Sequence, residues 1–249
     1  MKPIWAPGQP GDWTVTIGAE ARMVPTYEGS DRYTAVPLPL FNIRRAGTPP
    51  VFRAPRDGLG VAILDSGRFR AGPSFKVRLP RRESADSDLT GLGNVDFTLE
   101  AGGFAEYWFA PWLRGRAEIR QGFGGHHGVV GDLMADLVMP AGPRLTFSGG
   151  PRMTLATGKA ISPYFGVDAA QSAASGLPVY TAGGGVYSYG LGAQARYQWS
   201  PQWATHVFLE YERLSGDAAD SPITTQRGSR DQVQVGIGAS YSFDIKPLW

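Results

Sequence analysis

From Trp13 onward the chain alternates apolar and polar residues one for one over long stretches, and this periodicity constrains its fold more than any other feature. Trp13, Val15, Ile17, Ala19, Ala21 and Met23 fall on one side, and Thr14, Thr16, Gly18, Glu20 and Arg22 on the other. A repeat of two belongs to an extended strand with one apolar face; a helix would mix the two sets. The pattern returns over 69–79, 113–120, 145–155, 187–199 and 233–243. In the fourth of these, Tyr187, Tyr189, Leu191, Ala193, Ala195, Tyr197 and Trp199 oppose Ser188, Gln194, Arg196 and Gln198. Soluble sandwiches alternate too, but their strands run about five or six residues. These segments reach the roughly 9–11 residues of a tilted strand that crosses a bilayer. One face carries charges in series and the other only apolar and small residues, as expected of a lumen side and a lipid side.

The connections support the same fold class. Short turns lie at 46–50, 65–67, 110–112, 140–144 and 200–202, and long polar loops at 24–33, 80–94, 122–128, 157–185 and 215–231. Bacterial outer-membrane barrels have short periplasmic turns and long external loops in strict alternation. The alternation fails once, between 46–50 and 65–67, where the turn signal Pro55-Arg56-Asp57-Gly58 predicts a further outer tip. The expectation is therefore an all-β, transmembrane, antiparallel up-and-down barrel of about twelve strands, or ten if residues 51–64 do not span. Residues 1–12 read as a periplasmic N-terminal segment and 13–249 as a single barrel domain. Trp13, Tyr107, Phe109, Trp112, Tyr197, Trp199, Trp203 and Phe243 cluster at the short-turn ends and read as a periplasmic aromatic girdle.

Composition excludes several classes. There is no cysteine, which removes disulfides and thiolate chemistry. The formal net charge of +2 implies no nucleic-acid partner. No apolar run approaches the ~20 residues of a membrane helix. Residues 1–10 hold no apolar stretch of the secretory kind, so an outer-membrane location requires the chain to be a mature or trimmed form.

Several segments resemble the MipA/OmpV family of outer-membrane proteins. They are Tyr27-Glu28-Gly29-Ser30 with Pro37-Leu38-Pro39, then Tyr164-Phe165-Gly166-Val167, Ser175-Gly176-Leu177-Pro178-Val179-Tyr180 and Gly183-Gly184-Gly185. The longest runs from Tyr211-Glu212-Arg213-Leu214-Ser215-Gly216 through Asp217-Ala218-Ala219-Asp220-Ser221-Pro222-Ile223, and a closing Tyr241-Ser242-Phe243 follows. The resemblance implies a scaffold that links a murein-degrading lytic transglycosylase to a penicillin-binding synthase during cell-wall growth. It also implies outer-membrane lipids and lipopolysaccharide as surroundings. Members of this kind end on the aromatic of the last strand, whereas here Asp244 to Trp249 continue, so either Trp249 supplies the terminal aromatic or the last strand is longer.

No residue set reads as catalytic, cofactor-binding or metal-ligating, and the chain reads as a non-enzyme. His126-His127 occupies a Gly-rich loop tip, where adjacent residues point opposite ways, and reads as exposed loop polarity. His206, Glu210 and Glu212 share one strand face, but no Gly-x-Ser-x-Gly elbow accompanies them. Asp217, Asp220 and Asp231 lie in one outer loop without EF-hand spacing. The expected lumen network comprises Glu20, Arg22, Arg78, Glu100, Glu106, Arg114, Arg116, Glu118, Arg120, Arg152, Arg196, His206, Glu210 and Glu212, with Asp96, Asp132, Asp136, Arg68, Arg70 and Lys76 on the same faces. The two signs nearly balance, which favours a filled interior of paired charges over a lumen selective for one sign. A small pore for ions or solutes is the alternative.

Overall fold

The computed structural model describes residues 12–48 and 50–246. Met1 to Gly11, which hold most of the expected N-terminal segment, and Trp249 lie outside the described residues. Twelve antiparallel strands follow one another: β1 (Trp13–Pro25), β2 (Tyr33–Arg45), β3 (Leu59–Gly60), β4 (Leu64–Asp65), β5 (Phe69–Arg78), β6 (Thr98–Ala110), β7 (Leu113–Gly124), β8 (Val129–Ala141), β9 (Leu145–Ala156), β10 (Gly185–Gln198), β11 (Trp203–Leu214) and β12 (Asp231–Ile245). Ten are 10–15 residues long; β3 and β4 have two residues each. Each long strand pairs with its sequence neighbour, and β1 pairs with β12, which curls the sheet into a barrel. Four short helices stand in the long loops: α1 (Gly158–Phe165), α2 (Ala169–Ser175), α3 (Gly216–Asp220) and α4 (Pro222–Arg227).

Alternation sets which side each residue faces. Ile17, Ile119, Leu191, Val207 and Ile237 stand exposed on the outer wall, while Glu20, Glu118, Arg120, His206 and Glu210 are buried inside. Tyr187 departs from its predicted side. A bulge between Val186 and Ser188 inserts a residue into the ladder with β9 and turns both Tyr187 and Ser188 inward.

The sheet path ends at β2 on one side and at β3 and β4 on the other, and no ladder joins these ends among the described residues. Pro37 and Pro39 explain the β2 edge. Two residues apart, they turn toward the same neighbour, and without an N–H they are tolerated where that neighbour is missing. Residues 59–65 run along β5 as an edge, with Leu59 opposite Phe75 and Leu64 opposite Ala71. Pro55-Arg56-Asp57-Gly58 does form a turn, closed by Asp57 N–H to the Ala54 carbonyl at 3.0 Å. It is not an outer tip, because its side chains engage strands from several parts of the lumen wall.

The outer wall gives a direct test of sidedness. Ala117 is exposed on β7. Ala117→Arg places a guanidinium against acyl chains, which costs about 2–4 kcal/mol near mid-membrane. We expect a markedly smaller heat-modifiable, folded fraction on gels for Ala117→Arg and an unchanged fraction for Ala117→Leu.

Candidate functional site: a plugged and capped lumen

Strand β7 supplies the centre of the lumen. Its inward residues Arg114, Arg116, Glu118 and Arg120 fall at every second position, and the neighbouring strands β6 and β8 place acids beside them. Arg114 reaches Glu106 at 2.8 Å and Asp136 at 2.9 Å. Arg116 reaches Glu118 at 2.7 Å and Glu106 at 3.1 Å. Arg120 binds Glu100 at 3.0 Å and also contacts Glu118 and Asp132. Arg152 on β9 pairs with Asp136 at 2.5 Å and donates to the Ala135 carbonyl at 2.8 Å. These groups are almost wholly buried. A buried charge is tolerable when its partner and its remaining hydrogen bonds are present.

Residues 52–58 complete this network from inside. Arg56 lies 2.6 Å from Glu212 and 3.5 Å from Asp132, contacts Glu210, and donates to Thr154 Oγ1 at 2.6 Å. Asp57 accepts from Arg114 at 2.6 Å and lies 3.8 Å from Arg116. The Gly58 amide donates to Glu118 Oε1 at 3.0 Å. A Cβ at Gly58 would meet the Ser74 hydroxyl at 2.5 Å, so a side chain does not fit without a shift. Nearer the short turns, Phe52 meets Trp108 edge-on at 6.2 Å and lies under the Arg114 guanidinium at 5.2 Å. The segment is a plug. It binds β7, β8, β9 and β11 at once.

Of the predicted lumen residues, Glu20, Arg22, Glu100, Glu106, Arg114, Arg116, Glu118, Arg120, Arg152, Glu210 and Glu212 all join ion pairs inside. Arg70 approaches Glu106 at 3.6 Å, and Lys76 approaches Asp132 at 3.7 Å. His206 Nε2 lies 2.6 Å from Glu20, which ties β11 to β1 through the interior. Arg78 joins Glu100 and Glu28, each at 2.8 Å. Arg196 stands apart and donates to Gln198 at 3.0 Å. Asp96 is not a lumen acid: its side chain is exposed and faces Arg82 at 3.6 Å. His126 is not exposed loop polarity. It is buried with Nε2 3.2 Å from Glu100, while the adjacent His127 is exposed.

The long loops close the opposite mouth. α1 and α3 pack Ala160, Ile161, Tyr164, Phe165, Ala218 and Ala219 against Val95, Val130, Tyr187 and Leu214. A second cluster joins Tyr27, Leu89, Leu92, Val167, Leu177 and Ile223. Ser221 caps α4 by accepting from Ile223 N–H, and its hydroxyl donates to the Phe165 carbonyl at 2.7 Å. Asp217 accepts the Gly183 amide at 2.5 Å, and Asp220 pairs with Arg230 at 2.8 Å. Asp231 pairs with Arg213 at 2.6 Å. Tyr27 donates to the Arg227 carbonyl at 2.7 Å. Burial, with Asp88 and Asp86 nearby, pushes its phenol up to about 12.

Several of the segments that carried the sequence resemblance, among them those around Tyr27, Tyr164, Leu177 and Ala218, contribute to this cap. A family model described as "MltA-interacting protein MipA" matches residues 17–243. The chain belongs to the MipA family. A comparison with curated protein sequences finds no significant match. Among solved structures, the COG4313 outer membrane channel from Pseudomonas putida F1 is similar at 10% identity and a TM-score of 0.47, over 98% of this chain and 100% of that one. The NanC porin is similar at 9% identity and a TM-score of 0.43, over 92% and 98%. OprG from Pseudomonas aeruginosa is similar at 12% identity and a TM-score of 0.32, over 95% and 98%. This MipA-family chain is, by its own architecture, an antiparallel sheet of twelve strands curled into a barrel.

The eight aromatics lie on or beside the strand ends that flank the short turns and the termini. Tyr107 meets Phe109 at 5.0 Å and Tyr197 meets Trp199 at 4.5 Å. Trp13 carries the Arg45 guanidinium at 4.3 Å, Trp203 meets Tyr241 at a tilt at 4.9 Å, and Phe243 stacks on Tyr241 at 6.1 Å. Phe109, Trp112, Trp199 and Trp203 face outward and are exposed.

Removing the plug's cation exposes the logic of the network. Arg56→Met leaves Glu210, Glu212 and Asp132 facing one another without it. Breaking a buried pair in this way costs about 3–5 kcal/mol. We expect a lower urea midpoint in detergent micelles for Arg56→Met, with partial recovery in Arg56→Met/Glu210→Gln.

Proposed function

We propose that this protein is a non-conducting outer-membrane scaffold. Its long-loop cap faces lipopolysaccharide and the outside, and its short-turn rim faces the periplasm. There it holds murein-remodelling enzymes, a lytic transglycosylase and a penicillin-binding synthase. The observation that carries this reading is the double closure of the lumen, by residues 52–58 within the barrel and by helices α1 to α4 above it. A transporter for ions or solutes keeps an aqueous path, whereas a scaffold needs only a rigid body and an exposed rim. The family's description, an interactor of a transglycosylase, supports the partner class. An enzyme is the weaker reading, since His206 is engaged by Glu20 rather than by a serine.

The orientation follows loop length, short turns inward and long loops outward. The exposed aromatics of the short-turn end then lie at the periplasmic interface, where such rings settle.

The test is retention on immobilised, folded barrel of purified transglycosylases and penicillin-binding synthases from the same organism. We expect at least one member of each class to be retained, and retention to be lost when turns 142–144 and 200–202 are replaced by glycine and serine. Failure of every such enzyme to bind would end the scaffold reading.

A further inference from the structure

The open side of the sheet has a chemistry of its own. β2 pairs with β1 alone, and β5 gains partners only up to Phe75, opposite Leu59. Beyond that point Lys76, Val77 and Arg78 of β5 have no strand on the β2 side among the described residues. β2 likewise has none on the β5 side along its whole length. The seam is held together above the wall, where Arg32 on the β1–β2 connection reaches Asp86 at 2.5 Å and Ser87 at 3.2 Å. Arg78 reaches Glu28 at 2.8 Å. Below, residues 59–65 pair along β5 only. Between β2 and this edge the wall lacks a ladder among the described residues. Pro37 and Pro39 leave the β2 edge without two of its N–H donors, so neither β5 nor a foreign strand completes it there.

The inward face at this place is also unlike the rest of the lumen. Val36, Leu38 and Leu40 point inward from β2 and are only partly buried, where every neighbouring strand presents charges. The facing cations are directed away, Lys76 toward Asp132 and Arg78 toward Glu28 and Glu100. Outside, the seam is flanked by exposed Phe41, Val77, Leu59 and Val61. Apolar side chains thus line the seam on its outer face and on its inner one. The cap and the plug obstruct the axial routes.

We infer that the seam between β2 and β5 is a lateral portal through which small, neutral, apolar molecules pass between the bilayer and the lumen. One strand place is about 5 Å wide, the width of a single acyl chain or a one-ring aromatic. Ions are refused because the bilayer side offers them no water. This inference is independent of enzyme docking at the rim.

The experiment measures N-phenyl-1-naphthylamine fluorescence with the folded barrel in nanodiscs. We expect saturable binding above empty nanodiscs, competition by toluene, and quenching of the bound probe by brominated acyl chains. Leu38→Asp is expected to weaken binding at least tenfold, and Val207→Asn on the far outer wall to leave it unchanged. If Leu38→Asp does not give a heat-modifiable band, Leu38→Thr with Val36→Thr takes its place, with a severalfold loss expected. Absence of saturable binding, wild-type affinity in the β2 variants, or quenching by aqueous iodide but not by brominated lipid would each overturn the portal.

Discussion

The pairing of buried charges in the lumen is the constraint on which the rest of the molecule depends. The inward faces of β8 and β11 bring Asp132, Glu210 and Glu212 together, and β7 places Arg114 and Arg116 on the opposite flank. Such groups are costly to leave unpaired away from bulk water. A single turn carrying Arg56 and Asp57 side by side answers both clusters at once. To do so, the chain must leave the wall after β2, rise through the lumen and rejoin the sheet at Leu59. The barrel therefore has a seam where it would otherwise have a full hairpin. Plug and opening are two results of one electrostatic requirement.

The cap follows a different rule. Its interior is apolar and its cross-links are backbone carbonyls bound by Tyr27, Ser221 and Arg227. Loops of this length usually remain solvated on a barrel; here they bury Phe165, Leu89 and Ile223 completely. The segment from Tyr211 to Ile223 looks surface-like in sequence because its polar residues are numerous. In the fold, Ala218, Ala219 and Ile223 are core, Ser221 is a cap, and Asp220 is an ion-pair partner at the rim. The plug and the cap occupy the axis, while the exposed side chains lie on the outer wall and at the short-turn end.

Much of this was legible in the sequence. Alternation gave the long strands and their inward charges, because a period of two is a property of the backbone alone. Loop lengths gave the alternating short and long connections for the same reason. The plug was not legible, since Pro55-Arg56-Asp57-Gly58 specifies a turn but not its location; that is decided by charged residues such as Arg114 and Glu210, 57 and 154 positions away from their partners in the turn. Tyr187 was misplaced because a bulge shifts phase without a local marker. His126 was misread because Glu100, its partner, belongs to another strand. The cap helices did leave signals that alternation obscured: Asp168 with Gln171 forms a capping box, and Ser221-Pro222 opens α4 with a cap and a proline at the first helical position.

The account stands or falls on whether the paired charges close the axis. Planar-bilayer recording of the purified, heat-modifiable protein tests this most directly. We predict no stable single-channel steps for the native chain, and steps on replacing residues 52–58 with a glycine–serine linker that carries neither Arg56 nor Asp57. Steady steps from the native barrel that vanish on heat denaturation would contradict it and make transport the leading function.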